Sequence, residues 1–170
     1  MYYSVFSTPL GWMGLAGSEK GLAQLILPQD SSVDVRRLVS SASAVLATSF
    51  FDELEQRLRR YLEGVPVSFD SIEIDFSDAT EFRRKVWQET RGILYGQTKS
   101  YQWLAQRVGS PGAARAVGNA MAANPVPIVV PCHRVITSGG QTGGFGGGPR
   151  LKQYLLDIER VGCDAGGCLQ

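Results

Sequence analysis

The chain is 170 residues long, 44% hydrophobic and 19% charged, with a formal net charge of +1. That balance describes a globular protein with a real core, one ordinary domain or two small ones, and it excludes a disordered chain. No stretch approaches the ~18 apolar residues of a membrane span and no basic-then-apolar leader opens the chain, so a cytoplasmic location is expected, nuclear in a eukaryote.

In chain order, residues 2–28 alternate and turn at Pro9-Leu10-Gly11 and again around Ser18-Glu19-Lys20, which predicts three short antiparallel strands. A helix is predicted over 49–63, with Phe50, Leu54, Leu58 and Leu62 on one face and Gly64 as its stop. Residues 71–76 read as another strand. Asp78-Ala79-Thr80-Glu81 has the form of a capping box, opening a helix that buries Phe82, Val86 and Trp87. Residues 1–77 thus read as a small α/β unit and 78–162 as a mostly helical one, with 163–170 a flexible, frayed tail.

Within the second unit, 100–108 and 111–123 read as two short helices. They join at Gly109-Ser110-Pro111, a glycine C-cap, a serine N-cap and a proline at the first helical position. Helix, tight turn, helix is helix-turn-helix geometry. The second helix is nearly all small residues around Arg115, so its backbone can approach a partner closely, even a minor groove roughly 6 Å wide. Tight packing against another helix is the alternative. The apolar run 125–130 is bracketed by prolines and reads as a short buried strand or extended segment that delivers Cys132 to a fixed place. Seven glycines in 139–148 permit sharp turns and close approach to a flat ligand, or else make a floppy linker. No Gly-Lys-Ser/Thr follows them, so they are not a phosphate loop. A last helix is predicted over 151–161.

Charge is divided unevenly along the chain. Residues 1–77 hold six basic and ten acidic side chains, and residues 78–170 hold eleven basic and six acidic ones. Between Glu89 and Asp157 there is no carboxylate, while Arg91, Lys99, Arg107, Arg115, Arg134, Arg150 and Lys152 all fall there. Such asymmetry marks a surface built for a polyanion, or chance clustering on solvated faces.

Cys132 adjoins the only histidine, His133, in Pro131-Cys132-His133-Arg134. A thiol attacks as thiolate, and an imidazole is the usual means of making one near neutral pH. Neighbours on a strand face opposite sides, so the pair works together only where the strand breaks or a water bridges them. A buried structural cysteine beside a surface histidine is the bland alternative. Glu159 is a candidate to orient His133 as a carboxylate does in a triad, or else an ordinary exposed glutamate at a helix end. Three cysteines make no disulfide framework, and whether Cys163 and Cys168 pair is left open. A zinc site would need all three cysteines and the histidine, two of them adjacent, and is not expected.

Pro131-Cys132-His133-Arg134-Val135, preceded by Arg115-Ala-Val-Gly-Asn-Ala-Met-Ala-Ala-Asn124-Pro125, with Phe82-x-x-x-Val-Trp87 and Ser100-Tyr101-x-x-Leu-Ala upstream, resembles the O6-alkylguanine-DNA alkyltransferases. The likeness runs from about Phe82 to Glu159; the N-terminal unit is similar only loosely, as a ribonuclease-H-like α/β domain. The resemblance implies a fold of that small α/β domain followed by a mostly helical domain with a helix-turn-helix. It also implies direct repair: minor-groove binding of duplex DNA, flipping of an O6-alkylguanine, and transfer of its alkyl group to the protein's own cysteine. Cys132 is then the nucleophile, His133 its base through a water, Glu159 the orienter of His133, and Asn124 the brace before the cysteine. Arg115 fills the gap left by the flipped base, flanked by Ala114 and Ala116, with Arg134 also at the DNA. Tyr101 assists rotation and protonates N3 of the departing guanine. Met121, Val135, Phe145, Gly146, Gly147 and Lys152 form the base pocket, with backbone carbonyls at Cys132 and Val135 and amides around Phe145 reading the base edge.

No cofactor, metal or membrane enters this reading, and the chain acts as a monomer. Nothing near Cys132 could hydrolyse the thioether product, so each molecule is expected to react once. Two departures from the family stand out: no cysteine or histidine precedes Cys132, so the zinc site of some relatives is missing, and Phe145 stands where many members have tyrosine. The open glycine stretch suggests room for bulky alkyl groups such as benzyl. Two other classes remain as rivals, a protein that binds alkylated DNA without repairing it and a Cys–His hydrolase or acyltransferase acting on a small molecule. The first is disfavoured by the presence of Cys132, and the second leaves the carboxylate-free basic stretch unexplained.

Overall fold

Strands β1 (Tyr2–Thr8), β2 (Gly11–Ser18) and β3 (Gly21–Gln29) form the expected antiparallel meander, each pair joined by a two-residue turn. The computed structural model, which describes residues 1–39 and 42–168, extends this sheet with a short parallel strand, β4 (Val45–Leu46), in the order β3-β2-β1-β4. Central β2 is buried continuously from Met13 to Gly17 because both faces of the sheet are covered. One cover is α1 (Ser32–Leu38), which has no counterpart among the predicted elements. Seven residues are too few for a periodic signal, and the helix is held by the Ser31 cap, whose Oγ accepts from Asp34 N at 3.2 Å, and by Val35. Val35 sits so close to β2 that a Cβ at Gly14 would lie 2.5 Å from its Cγ1, so only glycine fits there. Met13 and Leu15 alternate to the other face and enter the core. That core also takes Leu54, Leu58, Tyr61 and Leu62 from α2 (Asp52–Leu62), which follows a 3₁₀ turn over Thr48–Phe51.

The predicted strand at 71–76 reduces to one bridge, Ile74 with Leu22. The carbonyls of Phe69, Asp70 and Ile72 accept instead from Arg91 Nη2 at 3.1, 3.0 and 3.1 Å, which curls the segment around one guanidinium. Helix α3 (Glu81–Arg91) follows, capped by Thr80, whose Oγ1 accepts from Arg83 N at 3.3 Å, rather than by Asp78.

A two-residue strand β5 (Lys99–Ser100) leads into α4 (Tyr101–Arg107), with Ser100 Oγ accepting from Trp103 N at 3.0 Å as the cap. Helix α5 (Ala114–Ala122) packs against α4 in a helix-turn-helix, but it starts three residues later than expected. Ser110 does not cap it: the Ser110 N–H closes α4 on Ala105 O at 2.9 Å, and Ser110 O accepts from Ala113 N at 2.8 Å, so Pro111–Ala113 is a turn. Strand β6 (Val135–Ile136) pairs in parallel with β5, and α6 (Gly148–Gly162) begins three residues earlier than expected, with Pro149 in its first turn. Beyond it, Cys163–Gly167 form a π-helical turn closed by a disulfide between Cys163 and Cys168, where the sequence suggested a frayed tail.

The two halves share one hydrophobic core that runs from Phe6 through Trp87 and Val130 to Leu155. Polar clasps cross the same boundary: Leu25 N donates to Pro125 O at 2.9 Å and Tyr154 Oη to Leu62 O at 2.7 Å. Among the described residues no helix is long and apolar enough to cross a membrane.

Candidate active site

The run before the cysteine is a buried turn, not a strand. Asn124 organises it: its Oδ1 accepts from Val126 N at 3.0 Å, and its Nδ2 donates to Val130 O at 3.0 Å and to Cys132 Sγ at 3.2 Å. Val130 N reaches back to Val126 O at 2.9 Å, which turns the chain through Ile128 at a φ of +74°, a conformation a β-branched residue rarely adopts. Cys132–Arg134 then form a 3₁₀ turn. The alternation of a strand is broken at the pair, so Cys132 and His133 do not face opposite sides of a sheet.

Both residues are buried, His133 completely. His133 Nε2 lies 2.7 Å from Glu159 Oε1 and 3.0 Å from the hydroxyl of Tyr61, and its Nδ1 has no hydrogen-bond partner among the described residues. The Cys132 sulfur takes its hydrogen bond from Asn124, not from His133. Burial pushes the Cys132 thiol up to about 11, against the pull of Asn124 and the Lys152 ammonium, so the resting group is a thiol at neutral pH. Burial also lowers the His133 pKa, outweighing Glu159, and leaves a neutral imidazole. Thiol and imidazole are thus both uncharged at neutral pH rather than an ion pair.

Glu159 anchors the cluster. Its Oε1 accepts from Tyr61 Oη at 2.6 Å, from His133 and from Arg134 Nη2 at 2.9 Å; its Oε2 accepts from Arg134 Nε at 3.0 Å and Gly96 N at 3.1 Å. Burial works against its charge, but the hydrogen bonds from His133 and Arg134 and the charge of Arg134 prevail, and the carboxyl is held well below the usual range. Arg134 gives its remaining Nη1 to Ile93 O at 2.6 Å. Expected at the DNA, Arg134 is instead a buried counter-ion, because Glu159 needs one.

Lys152 is likewise fully buried, its ammonium donating to Val135 O at 2.6 Å and lying 6.0 Å from the Tyr101 ring centroid. Desolvation lowers its pKa to about 8. The Val135 carbonyl expected at the base edge therefore already has a donor. Met121 lies in the core, with Thr90 Oγ1 3.8 Å from its sulfur, and Gly147 packs against Leu27, Leu151 and Phe145. Neither lines the cavity beside the site.

That cavity, of about 620 Å³, opens between α5 and the glycine loop, and Tyr101, Arg115, Phe145 and Gly146 all line it. Sequence reading missed its other walls, Gly118, Asn119 and Thr137. Gly143 is needed on the rim, since its φ is +67° and a Cβ there would lie 2.7 Å from Tyr101 Oη. Burial and then the nearby Cys132 sulfur raise the Tyr101 pKa, so its hydroxyl stays protonated and able to donate. Ala114 is half-buried, and Arg115 and Ala116 are exposed along α5. Arg115 has no hydrogen bond or ion pair among the described residues. Of the seven cations counted toward a polyanion surface, Arg134 and Lys152 are internal, Arg91 braces a loop, and Arg107 pairs with Glu89 at 3.0 Å. The described residues hold no cluster of histidine, cysteine and carboxylates suited to a metal.

Tyr61 is the member of the cluster that sequence reading missed. It comes from the N-terminal half and was indistinguishable there from an ordinary apolar-face tyrosine.

Comparison with known proteins agrees along most of the chain. Residues 1–76 match the family model of the 6-O-methylguanine DNA methyltransferase ribonuclease-like domain, and residues 81–161 that of the 6-O-methylguanine DNA methyltransferase DNA binding domain. A methylated-DNA–protein-cysteine methyltransferase of Methanosarcina acetivorans is 37% identical over 94% of this chain and 98% of its own. One of Mycobacterium leprae is 41% identical over 90% of this chain and 88% of its own. Among solved structures, Mycobacterium tuberculosis OGT in complex with DNA superposes with a TM-score of 0.81 at 36% identity, over 95% of this chain and 94% of that one.

Proposed function

This chain belongs to the 6-O-methylguanine DNA methyltransferase family, and from that premise we propose how its residues reverse DNA alkylation by taking the alkyl group onto Cys132. The observation that carries the reading is the buried thiol held by Asn124 next to a neutral imidazole whose Nδ1 is bare, beside a cavity that Tyr101 and Arg115 line. The protein is a DNA-repair methyltransferase that acts by direct damage reversal. Its partner is duplex DNA carrying O6-alkylguanine, met from the minor groove, and it acts as a cytoplasmic monomer.

The short side chains of Ala114 and Ala116 let α5 approach the groove, and unpaired Arg115 projects to fill the stack where the guanine leaves it. The flipped base enters the cavity between α5 and the Gly143–Gly146 edge, stacked near Phe145. His133 Nδ1 then receives the thiol proton through a bridging water. The sulfur attacks the alkyl carbon, an S–C bond forms as the C–O6 bond breaks, and the electron pair goes to the purine while Tyr101 supplies a proton at N3. Glu159 stabilises the imidazolium formed on the way. The thioether has no hydrolytic machinery near it, so each molecule turns over once.

Intact-mass measurement after incubation with duplex DNA containing O6-methylguanine tests the reading. One methyl on the peptide containing Cys132, missing in a Cys132→Ser control that still binds the duplex, is the expected result. Repeated transfer by one molecule, or methyl uptake by Cys132→Ser, overturns it.

A further inference from the structure

We propose that Tyr61 is a positioning residue for alkyl transfer: its hydroxyl, delivered from the N-terminal half, fixes the tautomer of His133 that can accept the thiol proton. The inference rests on Cys132, His133 and Glu159 acting as described above.

The argument is one of proton counting. A tyrosine hydroxyl has one proton and can accept as well as donate. At 2.6 Å from Glu159 Oε1, in the range of charge-assisted O–H···O bonds, that proton is committed to the carboxylate. Toward His133 Nε2, 3.0 Å away, the Tyr61 oxygen can then only accept. The same nitrogen meets Glu159 Oε1, an obligate acceptor, at 2.7 Å. Both groups against Nε2 are acceptors, so Nε2 carries the hydrogen. In a neutral imidazole that leaves Nδ1 with its lone pair free.

The local electrostatics are compatible. The titratable and charged groups that act on the ring are Glu159, Tyr61, Arg134 and Lys152, with Tyr95 packed against Tyr61. Arg134 and Lys152 are cationic donors that give hydrogen bonds to Glu159, Ile93 O and Val135 O, and the groups that meet His133 Nε2 are Tyr61 and Glu159 alone among the described residues. Burial, reinforced by Glu159, keeps the Tyr61 phenol protonated across any pH at which the protein works. Tyr61 is itself clamped by edge-on contacts with Phe69 at 5.6 Å and Tyr95 at 6.2 Å between ring centroids. Those contacts survive in Tyr61→Phe, which removes the hydroxyl alone.

His133 is the only histidine, so an imidazole ¹⁵N spectrum of the whole protein reads this one ring. The spectrum of the unmodified protein is expected to show hydrogen on Nε2; hydrogen on Nδ1 overturns the proposal, even if Tyr61→Phe cannot be purified folded. In Tyr61→Phe the Nδ1–H form should gain population. Single-turnover methyl uptake should slow by roughly 10- to 100-fold, the scale of one lost hydrogen bond to a charged group, at unchanged DNA affinity. The acid limb of its pH profile should move up, because the hydroxyl no longer offsets part of the Glu159 charge. A slower variant with the original limb and ¹⁵N spectrum would mean a packing role only and overturns the proposal, as does unchanged kinetics. If methyl uptake by the unmodified protein proves independent of Cys132, the reaction scheme fails, while the spectrum still decides the tautomer.

Discussion

The cluster around Glu159 and the cavity beside Tyr101 use opposite materials. In the cluster, Glu159 accepts from Tyr61, His133, Arg134 and Gly96, and the side chains that meet it are almost wholly buried. Along the cavity four of the lining residues are glycines, Gly118, Gly143, Gly144 and Gly146, and the cation that lines it, Arg115, has no protein partner among the described residues. Proton transfer needs donors and acceptors fixed to a few tenths of an ångström in a dry setting, whereas admitting a base needs backbone that can come close and a charge left uncommitted. A residue's place in one region or the other predicts what its loss does, stability and rate in the first, affinity in the second.

The sharpest break would come from Glu159→Gln. It leaves the Arg134 guanidinium buried without a counter-charge, which should cost about 3–5 kcal/mol and lower Tm by roughly 6–20 °C. Methyl uptake should slow as well, since a neutral amide stabilises the imidazolium poorly. A melt within ~2 °C of the unmodified protein would show that the cluster is not held by this charge.

Arg115→Ala is the opposite case. Being exposed and unpaired, it should change stability by no more than ~0.5 kcal/mol. Duplex binding should weaken, and the slope of log affinity against log salt should fall by about one counterion. Titrations at three salt concentrations check this; an unchanged slope would mean that Arg115 does not enter the DNA.

The smallest effect is that of mild acid. The folded pKa of His133 lies below its unfolded value near 6.5, so the unfolded chain takes up this proton first. Stability should hold above about pH 7 and decline as pH falls through 6.5 toward the folded value, by about 1.4 kcal/mol per unit at most from one site. Denaturant midpoints from about pH 8 to 5.5 measure this, and a midpoint that rises on acidification contradicts a buried neutral ring.

Local motif chemistry carried the sequence reading where partners are near in the chain. The family resemblance named Asn124 as the brace before the cysteine, and the groups it holds, Val130 O and Cys132 Sγ, lie only six and eight residues from it. Arg115 stood out because its neighbours are too small to hide it. The failures share a cause too. Arg134 and Lys152 were read as surface charge because burial of a cation depends on a distant acceptor, Glu159 in one case and the Val135 carbonyl in the other. Tyr61 was invisible because its partner Glu159 is 98 residues away. The 125–130 run was read as extended because its composition is that of a strand, while its shape is dictated by one side chain, Asn124. Ser110 has the right identity for a cap, but its N–H already closes the preceding helix on Ala105.

The separation between Tyr61 and Glu159 also bears on how the molecule is made. At about 5–20 residues per second, Cys132 and His133 emerge from a ribosome seconds before the helix that carries Glu159. Until α6 docks, His133 has no carboxylate to orient it, and the Tyr61 hydroxyl is free to donate to His133 Nε2 instead. On the scheme proposed above, a chain whose α6 has not yet docked lacks the arrangement that spends its single reaction.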